Sequence, residues 1–148
     1  MSFLGFFGFG SSGLPLYSAR MTARVVMIFG TFDGLHPGHR FFIEQAAKRG
    51  EVTVVVARDS TVERIKGRKP RQSQDKRIAA ITQTFSSVRP ILGDPSDFLA
   101  PVRSTRPDLI VLGYDQQLPP GVTIDDLPCV VERLSAFEPE RYKSSLLP

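Results

Sequence analysis

Short, uniformly apolar runs alternate with amphipathic stretches along this chain. RVVMIF (24–29), VTVVVA (52–57) and DLIVLG (108–113) are each six residues long and rich in β-branched side chains, as buried strands are. VRPIL (88–92) and PCVVERL (128–134) predict two further strands. Between them, PGHRFFIEQAAKRG (37–50) predicts a helix. Pro37 stands at its start, where a missing N–H costs nothing, Phe42, Ile43, Ala46 and Ala47 share one face, and Gly50 terminates it. SQDKRIAAITQTF (73–85) predicts a second helix capped by Ser73, and PSDFLAPVRSTR (95–106) a shorter third. Strands without polar alternation have no wet face, so the pattern predicts a parallel sheet covered on both sides.

This is an α/β organisation, a Rossmann-like, doubly wound parallel sheet of five strands in a single domain. Ligands of such sheets bind beyond the carboxyl ends of the strands. Four polar stretches follow strands directly, at 30–39, 58–77, 113–117 and 133–145, and all are therefore expected at one edge.

Composition sharpens this picture in two places. The chain has 148 residues and a net charge of +4, but the charge is concentrated. Residues 58–77 carry eight Arg or Lys against three acids, and the remainder is close to neutral. One basic segment beside a glycine-rich turn favours a polyphosphate ligand over a duplex, whose footprint is broader. No aromatic-plus-basic stacking pattern accompanies it, so nucleic acid is not expected as a partner. The single cysteine, Cys129, rules out an internal disulfide and any multi-cysteine zinc site; its apolar neighbours predict a buried, inert thiol in a reducing cytoplasm.

No segment is apolar and long enough to span a membrane. Residues 1–22 lack the basic start of a signal peptide, and glycines interrupt their apolar residues. They are expected to form a disordered N-terminal extension, or to reflect a start codon assigned too early. The alternative is that Phe3, Phe6, Phe7 and Phe9 dock on a partner or a membrane surface.

The chemistry concentrates in GTFDGLHPGH (30–39). Gly30 and Gly34 permit a sharp turn and close approach to a ligand. The helix that follows offers free N–H groups and a positive dipole end, which together favour phosphate. His36 falls just before that helix and His39 in its first turn, where imidazole N–H donors can stabilise charge building on phosphoryl oxygens. The spacing is neither that of a P-loop nor that of a G-x-G-x-x-G dinucleotide fingerprint. A zinc site would need a third ligand, and these are the only two histidines. Simple capping of the helix by the histidines remains open at this point.

GTFDGLHPGH resembles the signature of the HIGH-type nucleotidyltransferase superfamily, G-x-F-D-x-x-H-x-G-H, and supporting similarities run over about residues 24–145. The resemblance implies a nucleotidyltransferase domain over 23–148. There the acceptor's phosphate attacks the α-phosphate of a nucleoside triphosphate and pyrophosphate leaves. It implies His36, His39 and Lys66 as catalytic residues. Gly30, Thr31, Phe32, Asp33 and Gly38 would bind the nucleotide from the first turn, Gly113, Tyr114 and Asp115 from the third strong strand. Arg77, Arg133, Ser144 and Ser145 would hold the triphosphate. Mg²⁺ would accompany the triphosphate, with Asp33 or Asp115 as its candidate ligand; Asp33 could instead brace the turn, and Arg64, Arg68, Lys69 and Arg71 could simply solvate a loop.

Within the superfamily, ARDSTVERIKGRKP, ILGD and LIVLGYDQ are most similar to archaeal-type FAD synthases, which transfer AMP from ATP to FMN. QLPPGVTIDDLP (117–128) is shorter and richer in proline than the acidic helix usual there. The alternatives are a cytidylyltransferase acting on glycerol 3-phosphate or another small phosphate, and a non-catalytic nucleotide-binding module. A homodimer is compatible with the resemblance.

Overall fold

The computed structural model describes residues 24–135. The expected extension (1–22), with its four phenylalanines, and the expected triphosphate contacts Ser144 and Ser145 lie outside them. The elements run β1 (Val25–Gly30), α1 (Pro37–Ala47), β2 (Glu51–Val56), α2 (Asp59–Lys66), α3 (Gln74–Thr84), β3 (Arg89–Leu92), α4 (Ala100–Thr105), β4 (Leu109–Leu112) and β5 (Val130–Arg133), with a 3₁₀ turn at Ile124–Asp126 between the last two.

The five strands form one sheet in the order β3-β2-β1-β4-β5, and every pair is parallel. Strand order therefore reverses between β1 and β4. β1 pairs with β2 along its whole length, from Val25↔Glu51 to Gly30↔Val56. Against β4 it pairs only at Val26↔Leu109 and Met27↔Ile110. The two strands part toward their carboxyl ends, which opens the crevice where such sheets bind ligands.

Alternation along each strand feeds two cores, which is why the strands read as continuously apolar. Val26 and Ile28 join Val52, Val54 and Val56 against Ile43 and Ala46 of α1 and Ile81 of α3. Met27 and Phe29 face the other way, with Ile110, Leu112, Val102 and Leu127. Cys129 packs at the margin of this second core, where burial first and the charge of Asp108 next push its thiol up from the ordinary value. Cys129 is partly rather than fully buried, which corrects the expected burial, while the raised thiol fits the inert role expected of it.

Two features differ from the sequence-based expectation, and the short third helix agrees with it. The start of the basic segment is a helix, α2, which buries only Val62 and so carries no readable apolar period. Its polar signals are present: Asp59 lies in the first turn and Arg64 and Lys66 in the last, complementing the helix dipole. The third helix lies within its expected stretch, at Ala100–Thr105. Asp94 opens the irregular stretch before it by accepting from the amides of Ser96 and Asp97. Finally, among the described residues the second face is covered by this short helix, through Val102, and by irregular chain that contributes Phe98, Leu99 and Leu118.

Candidate active site

At the carboxyl edge a pocket of about 240 Å³ is lined by Gly30, Thr31, Phe32, His36, Gly38, His39, Tyr114 and Asp115, together with Phe29, Phe41, Phe42, Gln116, Leu134 and Ser135. Eight of the expected site residues thus come together on one wall or the other. The first wall is the turn after β1. Gly30 is required there because a Cβ would lie 2.8 Å from the Phe32 ring. Phe32 itself adopts φ 55°, costly for a bulky residue, and Gly34 turns the chain at φ 76°.

The histidines do cap the helix, and the capping fixes their chemistry. His36 is the N-cap of α1. Its Nδ1 accepts from the amides of Gly38 (3.0 Å) and His39 (3.3 Å), and the His39 Nδ1 accepts from the His36 amide at 3.4 Å. This is a capping box built from imidazoles. Both rings stack with centroids 3.6 Å apart, and Phe32 meets the His39 ring edge-on at 5.2 Å. An Nδ1 that accepts leaves the proton of a neutral ring on Nε2. The His36 Nε2 is buried and has no hydrogen-bond partner among the described residues.

Both imidazoles are held neutral. Burial lowers the His36 pKa against a weaker opposing backbone hydrogen bond. Burial first, then the adjacent His36 ring, which would repel a second proton, and the Lys66 charge lower His39 to about 4, although the Gly34 backbone and Asp33 pull the other way. Capping and donation are therefore compatible: Nδ1 serves the helix while the buried Nε2 of His36, a residue of the pocket lining, has no partner among the described residues.

Lys66, at the end of α2, brings its Nζ to 3.5 Å from Thr31 Oγ1. The loop after α2 docks on the same turn. Asp33 accepts from the amides of Arg71 (2.8 Å) and Gln72 (2.9 Å), and the Gln72 side chain accepts from Gly34 N. Burial raises the Asp33 pKa, but these two amides and the charges of Arg71 and Arg77 outweigh it and keep the carboxyl below its usual value. Asp33 thus braces the turn with both oxygens. No group of three or more potential metal ligands occurs among the described residues, and Asp115 is the exposed carboxylate of the pocket rim.

Arg77 corrects an expectation. Rather than facing a triphosphate, it is 0% exposed. Its Nε donates to Gln72 O, its Nη1 to Thr31 O and Ala57 O, and its Nη2 to Asp59 Oδ1 at 2.7 Å. The buried guanidinium ties together the chain after β1, the chain after β2 and the start of α2. Phe32 is likewise 2% exposed, placed to support His39 more than to cover a ligand. Arg133 donates to Gly113 O and Gln116 O and so props the turn that carries Tyr114 and Asp115.

Sequence reasoning missed Gln116 and Gln72. Both are neutral amides in loops, with neither charge nor periodicity to mark them, although Gln116 closes the GYDQ stretch.

The cytidylyltransferase-like family profile matches residues 27–144. The chain is 50% identical over 93 residues to an FAD synthase from Aciduliprofundum boonei, an alignment covering 62% of each protein. It is 43% identical over 97 residues to an FAD synthase from Methanopyrus kandleri, covering 63% of this chain and 64% of that one. Identity to an FAD synthase from Methanothrix thermoacetophila is 42% over 102 residues, covering 67% and 68%. The chain thus spans 62% of the length of the first of these relatives and 68% of the last. Among solved structures it is similar to the lipopolysaccharide core biosynthesis protein from Thermoplasma volcanium, with a TM-score of 0.67, 36% identity, and coverage of 78% of this chain and 98% of that one.

Proposed function

The chain belongs to the cytidylyltransferase-like family, and from that premise we propose that it is a nucleotidyltransferase joining AMP from ATP to FMN, giving FAD and pyrophosphate. The observation that carries this proposal is the neutral histidine pair in the crevice, with the His36 Nε2 buried and unpartnered among the described residues. The FAD synthases among its relatives support the choice of substrates.

An oxygen of the FMN phosphate attacks the α-phosphorus of ATP. A new P–O bond forms, the bond from the α-phosphorus to the bridging oxygen breaks, and pyrophosphate leaves with the electron pair. No residue need form a covalent intermediate, so catalysis is positioning and charge stabilisation. His36 and His39 stabilise the charge on the equatorial oxygens, and Lys66 and Thr31 hold the adjoining phosphates. Gly30 and Gly38 let the backbone approach, while Tyr114 and Asp115 meet the nucleoside. Asp33, Arg77 and Arg133 act from behind by holding the loops. Mg²⁺ would accompany the triphosphate and neutralise part of its charge; as a hard ion that keeps several waters it would need few protein ligands, and the exposed Asp115 would be the carboxylate to meet it. Ser144 and Ser145 remain part of the proposal as triphosphate contacts.

The test is pyrophosphate release with Mg²⁺, offering ATP or CTP, each with FMN or glycerol 3-phosphate, followed by chromatography of the products. FAD from ATP and FMN alone is the expected result. CDP-glycerol would transfer the mechanism to a cytidylyltransferase, and no product from any pair would overturn the enzymatic assignment to these substrates.

A further inference from the structure

Where β1 and β4 part, the carbonyl of Phe29 and the amide of Gly113 lose the partners that continued pairing would supply. The side chain of Gln116 takes their place. Its Nε2 donates to Phe29 O at 2.9 Å and its Oε1 accepts from Gly113 N at 3.0 Å. One side-chain amide thus stands where the next peptide of a paired strand would have stood. The Gln116 amide donates back to Gly113 O at 3.2 Å, closing a turn with Tyr114 and Asp115 at its tip. Arg133 clamps both ends of that turn, to Gly113 O at 2.9 Å and Gln116 O at 2.7 Å.

We propose that Gln116 is a positioning residue: bridging β1 and β4, it sets the width of the crevice and places the Tyr114–Asp115 turn against the nucleoside half of the donor nucleotide, an inference that rests on the functional reading above. The phosphate half is held by the turn after β1 and by Lys66, none of whose side chains or amides Gln116 hydrogen-bonds; on that wall it reaches only the Phe29 carbonyl, near the end of β1. Loss of the bridge should therefore weaken nucleoside recognition and spare phosphate recognition.

Gln116→Met keeps the length of the side chain and removes both hydrogen bonds. Its ATP dissociation constant, measured by calorimetry, should rise about tenfold, the scale of two neutral hydrogen bonds. Affinity for inorganic tripolyphosphate should change less than about twofold, and KM for ATP should rise while kcat stays within about threefold. Gln116→Asn, whose amide can reach only one of the two groups, should fall between wild type and Met. It also provides the same readout if the Met variant does not fold. Equal loss of ATP and tripolyphosphate affinity, or a lowered melting temperature with ATP affinity intact, would overturn the positioning role while leaving the proposed function standing. A wild-type protein that binds no ATP would overturn both.

Discussion

At His36 one ring performs two tasks through different nitrogens, and substitutions can separate them. Alanine removes the cap and the donor together; asparagine, among the best N-capping residues, restores the acceptor and lacks the Nε2 donor. His36→Ala should lose about 1 kcal/mol of stability and His36→Asn much less. Both should lose about 100-fold in turnover, by analogy with an oxyanion donor; denaturant unfolding and pyrophosphate release measure the two effects. His39 adds a pH dependence. With its folded pKa at about 4 against 6.5 for an ordinary imidazole, the unfolded chain binds the proton first. Stability should accordingly decline as pH falls from about 6.5, at no more than about 1.4 kcal/mol per pH unit for one proton, and level off near 4. His39→Asn should make the decline shallower. A stability that is flat over this range would show that the imidazole is not held neutral by the fold.

Among the elements, β1, β2 and β4 were legible because they are apolar toward both cores, and α1 and α3 because Phe42, Ile43 and Ala46, and Ile78 and Ile81, recur at helical spacing against one core. Pro37 at the start of α1 and Ser73 accepting from the Lys76 amide at the start of α3 also fall where the sequence puts them. α2 was not legible, because a helix burying one residue leaves no period. The site was legible to the same degree. A sequence shows which side chains carry charge, and GTFDGLHPGH announces its histidines, but it does not show where each charge is spent. Arg77 is the clearest instance, since its donors go to three carbonyls and a carboxylate rather than to solvent. Arg77→Leu should strand those carbonyls and cost about 3 kcal/mol, at the lower end for a broken buried pair because Asp59 is 41% exposed. Arg77→Lys should recover little of it, since one ammonium cannot reproduce the fork. Urea unfolding of both variants checks this, and a wild-type midpoint for Arg77→Lys would show that charge, not the fork, is what the three loops need.

Over the whole molecule, the sheet gathers the basic segment and the histidine turn at one edge, and that placement gives the charge imbalance a function. Asp33 and Gln72 fasten the loop after α2 to the turn after β1, so the cations of this loop are carried on a fixed support beside the pocket. Arg68 and Lys69 are exposed there and have no hydrogen bond or ion pair among the described residues. Their contribution to stability should be within about 0.5 kcal/mol, whereas their field acts on any approaching polyanion. Replacing both with serine should lower kcat/KM for ATP several-fold, about threefold to tenfold, at low ionic strength, while kcat at saturation stays unchanged. The deficit should shrink as salt shortens the Debye length to about 3 Å near 1 M, because screening removes from the wild type what the substitution removes from the variant. Measuring kcat/KM against ionic strength for both proteins decides the matter. Converging lines mean that the segment steers its substrate, whereas parallel lines would mean that Arg68 or Lys69 touches the nucleotide directly and belongs to the site itself.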